Sequence, residues 1–156
     1  MLRKLLCLGL VMVMVVCAVS ALAEEGVEVL KADEGFSGEN WQYPAMDDLE
    51  HPYVSGTFVC DSPDAYKIIT LIRVTNVYGP KPYFDEPYAF IAPSGTFQAE
   101  FAAEGESGDL ACTEIYLYFV PEDYEHNIEV NDSYAVKAAS ANALLKDSVY
   151  AVKIVR

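Results

Sequence analysis

Positive charge is what this chain has least of. Ten Lys and Arg residues stand against 24 Asp and Glu in 156 residues, and two of the ten, Arg3 and Lys4, fall in the first four positions. Nucleic-acid binding is driven by Lys and Arg neutralising phosphates, so a nucleic-acid partner is disfavoured, and the same acidity repels anionic membranes and polyanionic glycans. Histidine is scarcer still. The only two, His51 and His126, stand far apart beside turn-like or acidic residues and supply little of a zinc site. No G-x-S-x-G or C-x-x-C element accompanies them. No residue is therefore assigned a catalytic role, and the expectation is a protein that is not an enzyme. An internal repeat and a low-complexity domain are also lacking.

What is present starts with a leader. Met1-Leu2-Arg3-Lys4, an apolar run over 5–19 and Ala21-Leu22-Ala23 before Glu24 form a basic, apolar and small-residue series. That series predicts a secretory signal peptide over 1–23, cleaved after Ala23. The competing reading, a membrane anchor, needs a span of ~20 apolar residues, and this run is shorter. Val16 before Cys17 and Leu6 before Cys7 are not the small residue that precedes an acylated cysteine. The expected location is secreted or cell-surface, with no stable membrane insertion once the signal is gone. The remaining 133 residues suit a single domain with a real core. With all 24 acidic residues but only eight basic ones, they carry a formal charge of -16.

Removing the leader also removes Cys7 and Cys17, which leaves Cys60 and Cys112. In an exported protein this predicts one disulfide. It would close a loop of about fifty residues, for which the chain-entropy model gives about 4 kcal/mol. Alternation sets Cys60 with Val54 and Phe58, but Cys112 with Tyr116 rather than Ile115, so the pair needs a bulge near 108–112 to share a face.

Period-two alternation dominates the mature chain. Thr113 to Phe119 sets Ile115, Leu117 and Phe119 against Glu114, Tyr116 and Tyr118, and Phe97, Ala99 and Phe101 repeat the pattern just upstream. The two segments are expected to pair as an antiparallel hairpin across an acidic loop. Val27 to Leu30 reads as a first edge strand and Tyr53 to Cys60 as a strand with Gly56 at a bulge or close approach. Tyr66 to Val74 is apolar on both faces and rich in β-branched residues, which predicts a central strand rather than a helix. Tyr88 to Ile91, Ser133 to Ala138 and Ser148 to Val155 add short strands, with one or two helical turns over 138–145. Residues 35–52 show no usable period and read as a long aromatic loop. The division is thus an N-terminal strand and aromatic loop over 24–52 and an all-β domain over 53–156. Seven or eight strands make it an antiparallel β-sandwich.

Ala92-Pro93-Ser94-Gly95-Thr96-Phe97, preceded by a V-x-G-x-F strand from Val54, resembles secreted bacterial immunoglobulin-like or fibronectin type III-like sandwiches. Ser94 stands where those domains commonly carry Asp, and Trp41 precedes Cys60 instead of following it. The resemblance implies an immunoglobulin-like architecture and surface adhesion, spacer or glycan-binding roles.

Two candidate sites follow. Tyr78, Tyr83, Phe84 and Tyr88 lie among Pro80, Pro82 and Pro87, where rings on a stiff loop could stack on sugars or anchor a protein, with Asp85 accepting hydrogen bonds. Glu104, Glu106 and Asp109 are the candidate Ca²⁺ ligands, since hard cations take loop carboxylates, although no D-x-D-x-D-G loop is present. No other cofactor is expected. The function expected is an exported non-catalytic binding or adhesion module contacting a glycan or an extracellular protein through loop aromatics. A structural or assembly component of the cell envelope is the alternative, and a small carboxylate-based hydrolase the third reading.

Overall fold

Alternation of apolar and polar side chains makes a strand bury one face, and here most strands bury that face against a second sheet. A computed structural model describes residues 26–43, 53–75, 81–85, 89–100, 111–131 and 135–155. The predicted signal peptide, residues 1–23, lies outside them. The strands are β1 (Val27–Ala32), β2 (Ser37–Gln42), β3 (Tyr53–Val59), β4 (Tyr66–Thr75), β5 (Lys81–Asp85), β6 (Ala89–Ile91), β7 (Thr96–Glu100), β8 (Ala111–Pro121) and β9 (Tyr150–Val155). One helix, α1 (Ala138–Asp147), lies between β8 and β9.

Two antiparallel sheets result, one in the order β1-β9-β8-β4-β5 and the other β2-β3-β7-β6. Val54, Phe58, Phe97 and Ala99 of the smaller sheet share one core with Ile72, Ile115, Leu117, Phe119, Val152 and Ile154 of the larger. Phe58 stacks on Phe119 at 4.5 Å between ring centroids, and Phe97 meets Phe119 edge-on at 5.3 Å. The architecture is thus an all-β sandwich with one added helix. That helix lays Leu144 on the outer face of the larger sheet, against a second cluster of Ile69, Leu71, Tyr118, Val120, Val136 and Ala151. Both faces of β4 and β8 are covered there, which accounts for their two-sided apolar sequences.

The hairpin expected between 96–101 and 113–119 does not form. β7 pairs with β3 and β6, while β8 pairs with β4 and β9. The two segments meet face to face across the core instead. Period two identifies the buried face of a strand and leaves its neighbour undetermined.

The expected Cys60–Cys112 disulfide is absent: neither cysteine forms one. The required bulge does exist, at Thr113. Arg73 pairs with Glu114 but Val74 with Cys112, so Cys112 joins Ile115 on the core face. The two cysteines nonetheless sit toward opposite ends of the sandwich. Phe58, two positions before Cys60, lies on Phe119, and Cys112 is seven positions back along β8. Seven strand residues span roughly 20 Å, far beyond the ~6 Å between Cα atoms that a disulfide allows.

Two expected loops contain strands. β2 falls within the aperiodic 35–52 region, its alternation broken by Asn40 at φ 54° and a register shift between Glu39 and Gln42. Phe36, Trp41 and Tyr43 of this region fold back onto the core. β5 falls within the proline-rich 78–88 segment, and Pro82 is tolerated because β5 is an edge strand. The strand expected over 133–138 is reduced, among the described residues, to a single bridge between Val130 and Val136.

Glycine works at two places. Gly56 approaches the other chain segments so closely that a Cβ would lie 2.9 Å from Phe97 Cε1 and 3.0 Å from the Glu39 carbonyl oxygen. Gly95 has φ +85° in the β6–β7 turn, where a side chain would collide with the Phe58 carbonyl, and its own carbonyl accepts from Phe58 N–H at 2.8 Å.

Candidate functional site

The site begins with a mismatch in strand lengths. β8 pairs with β4 along all ten of its residues, but β5 pairs only from Thr70 to Val74. Among the described residues, the β4 edge from Tyr66 to Ile69 therefore has no strand beside it on that side. Opposite it lies β6, the last strand of the smaller sheet. Its turn fixes it there, with Gly95 N–H bonded to Ala92 O and Ala92 N–H to Thr96 O, both at 2.8 Å.

Between these edges is an open groove of about 520 Å³, within the size range of ligand clefts. Its wall on the β4 side is Tyr66, Lys67 and Ile68, and on the β6 side Ala89, Phe90 and Ile91. Asp64 and Glu122 close one end. A 3₁₀ turn, Pro63–Ala65, sets Asp64 there, and Glu122 is tied to it by its N–H donating to Ala65 O at 2.9 Å. Tyr66 is held by edge-on contacts with Phe36 at 5.4 Å and Phe58 at 5.6 Å. Phe90 is 42% exposed, a large ring left half in solvent.

Alternation along β4 puts Tyr66, Ile68 and Thr70 on the inner face, since Ile68 pairs with Phe119 and Thr70 with Leu117. Thr70 is 1% exposed, and its hydroxyl has no hydrogen-bond partner. A buried polar atom of this kind costs about 1–3 kcal/mol.

Of the residues singled out in the sequence, Tyr78 and Tyr88 lie outside the described residues, as do Glu104, Glu106 and Asp109. No group of three or more metal-ligating side chains occurs among the described residues. Tyr83, Phe84 and Asp85 belong to β5, whose backbone sets them opposite Ile72, Leu71 and Thr70 respectively. Positions 83 and 84 thus fall on opposite faces of a sheet, not side by side on one loop surface. Sequence reasoning missed Phe90, Tyr66, Asp64 and Glu122. The available signal was Phe90, a bulky apolar residue at the outward position of a three-residue strand.

A second polar group lies on the outer face of the larger sheet. Tyr116 Oη donates to Glu114 Oε2 at 2.5 Å, and the same oxygen is 3.0 Å from Arg73 Nε, an ion pair without hydrogen-bond alignment. Burial, and then the bond to Glu114, push the Tyr116 phenol well above its ordinary range. Lys153 pairs with Glu28 in the neighbouring register row. Every charge here has an opposite charge beside it, so this belt holds strands together rather than presenting a reactive group.

No family model matches the chain, and no curated protein or solved structure matches it significantly.

Proposed function

We propose that the chain is an exported, non-catalytic binding module with an immunoglobulin-like sandwich, engaging an extracellular partner at the groove between β4 and β6. The observation that carries this reading is the exposed Phe90 ring in the wall of the open groove between β4 and β6. An aromatic held on a rigid element anchors partners at low entropic cost. The immunoglobulin-like assignment is supported by strand order. β2-β3-β7-β6 opposite β9-β8-β4-β5 follows the A-B-E-D and G-F-C-C′ arrangement of such domains. β1, antiparallel to β9, and the helix before β9 depart from it.

The test is retention of the protein on a glycan array and on extracellular protein fractions, with and without calcium, comparing wild type with Phe90→Ala. Retention that falls at least about tenfold in the variant supports the groove. Equal retention by both proteins overturns it, and loss on chelation would bring the acidic 104–109 segment into the reading. If nothing is retained in either buffer, the envelope-component reading takes its place.

A further inference from the structure

We infer that docking of β1 on β9 closes the Ala23–Glu24 bond to proteolysis, so that an endopeptidase recognising Ala21 and Ala23 must remove the leader before the larger sheet is completed. This rests on the reading of residues 1–23 as a cleaved leader, and it adds the order of the two events.

Three observations carry it. The paired part of the sheet begins almost at the cut. Gly26 O accepts from Val155 N–H at 2.9 Å, and Val27 is 5% exposed. Tyr43 also closes over Gly26, where a Cβ would lie 2.5 Å from the phenol oxygen. Only Glu24 and Glu25 separate that anchored glycine from Ala23, and two residues of fully extended chain reach about 7 Å. An endopeptidase needs its substrate extended on both sides of the scissile bond, and a strand paired in a sheet supplies that only when it opens.

Second, β1 is tied along its length. Val27, Glu28, Val29, Lys31 and Ala32 stand in register with β9. Glu28 forms an ion pair with Lys153, and Lys31 donates to two carbonyls at the end of α1. These ties oppose fraying from the N-terminal end.

Third, β1 docks late. Among the described residues it pairs with β9 alone, and Val27 lies opposite Ile154. The whole stretch between those two residues must be made first, which at about 5–20 residues per second takes roughly 6–25 s. Slow pairing between segments far apart in the chain lengthens the interval. The cut itself is a hydrolysis: water adds across the Ala23–Glu24 bond, leaving a carboxylate on Ala23 and an ammonium on Glu24.

The experiment uses the full-length precursor and a purified bacterial signal peptidase in detergent, with release of residues 24–156 followed by mass. The native precursor is assayed at once on dilution from urea and again after refolding. A second precursor carries about ten glycine and serine residues inserted between Glu25 and Gly26, which adds roughly 17 Å of reach and leaves β1 and its partners unchanged. Amide exchange over 27–32 confirms that β1 is docked in both refolded proteins. The expected result is that refolding slows cleavage of the native precursor at least about tenfold, which corresponds to about 1.4 kcal/mol of docking when cleavage tracks the open fraction. The spacer should restore the rate of the chain assayed before refolding.

Equal rates for the two refolded precursors, or no slowing of the native one on refolding, overturn the inference and leave the leader reading intact. No cut after Ala23 in any sample, the chain assayed before refolding included, removes the leader reading and the inference with it.

Discussion

Thr113 is one residue too many for the alternation of β8, and that extra residue decides the environment of a thiol. Because Val74 skips Thr113 to pair with Cys112, the thiol enters the core, where it is 1% exposed, while Cys60 stays half-buried beyond the end of β3. Two consequences are measurable. A reducing agent should leave the unfolding midpoint unchanged, because no disulfide is there to break. A thiol reagent should label Cys60 in the native protein, slowly because burial pushes its thiol up, and Cys112 only on unfolding. Mass mapping of the labelled cysteines checks this, and labelling of Cys112 at the rate of Cys60 would contradict the burial described.

Tyrosine burial gives a second prediction at this scale. Tyr118 lies under α1, and burial pushes its phenol from an ordinary 10.0 up to about 12. The folded value is raised, so the contribution to stability is complete below pH 10 and is lost as pH rises from there toward 12. A shift of this size corresponds to about 2–3 kcal/mol. Tyr116, Tyr124 and Tyr150 are raised as well, each chiefly by burial. The protein should therefore unfold in alkali with a cooperative rise in tyrosinate absorbance, and Tyr118→Phe should weaken that pH dependence. A pH profile of urea unfolding for the two proteins would decide it.

At the scale of elements, the strands that were legible in the sequence are those whose packing obeys one simple period. β4 declares itself by β-branched residues on two covered faces, and β9 by the alternation of Tyr150, Val152 and Ile154 in the core with Ala151 and Lys153 on the outer face. β2 is hidden because Gly38 must be small where Trp41 and Tyr150 close over it, and because Asn40 turns the chain at positive φ. β5 is hidden by Pro82, which argues against a strand everywhere except at an edge, and edge position is a tertiary fact. The groove was illegible for the same reason, since its two walls, β4 and β6, belong to different sheets and meet only in the folded chain.

The joint between β1 and α1 is another such case. Leu30 is an extra residue between the Val29–Val152 and Lys31–Ala151 pairs, and it sets Lys31 on the outer, helix-bearing face. There the Lys31 ammonium donates to Lys146 O at 2.7 Å and to Ser148 O, at the end of α1 where backbone carbonyls lack partners within the helix. A cation at a helix C-terminus also opposes the negative end of the dipole. Ser148, fully buried, adds its hydroxyl bond to Leu145 O at 2.9 Å. The helix has no side-chain cap at its start, so its stability depends on this end and on Leu144. Lys31→Met should cost about 1 kcal/mol and speed amide exchange in α1 more than in β8. Uniform exchange changes across both elements would show instead that Lys31 acts on the whole fold.

For the whole molecule, the question is what joins two sheets that no disulfide links. Phe58 on β3 and Phe119 on β8 occupy the middle of the core, both almost fully buried, and they stack at 4.5 Å with Tyr66 edge-on to Phe58 and Tyr150 beside Phe119. Cys60 and Cys112 form no disulfide between the sheets, and the ring stack ties the sheets by contact alone. Deleting either ring should cost about 3–5 kcal/mol, a large part of the ~5–15 kcal/mol that holds a domain of this size together. Because the rings touch, the losses should not add. Phe58→Leu and Phe119→Leu keep enough volume for folding to be measured. A double-mutant cycle on them should return a coupling of about 0.5–1.5 kcal/mol. Coupling near zero would mean that the sheets are joined by area spread over the whole core, and that the stack is no more than two of its members.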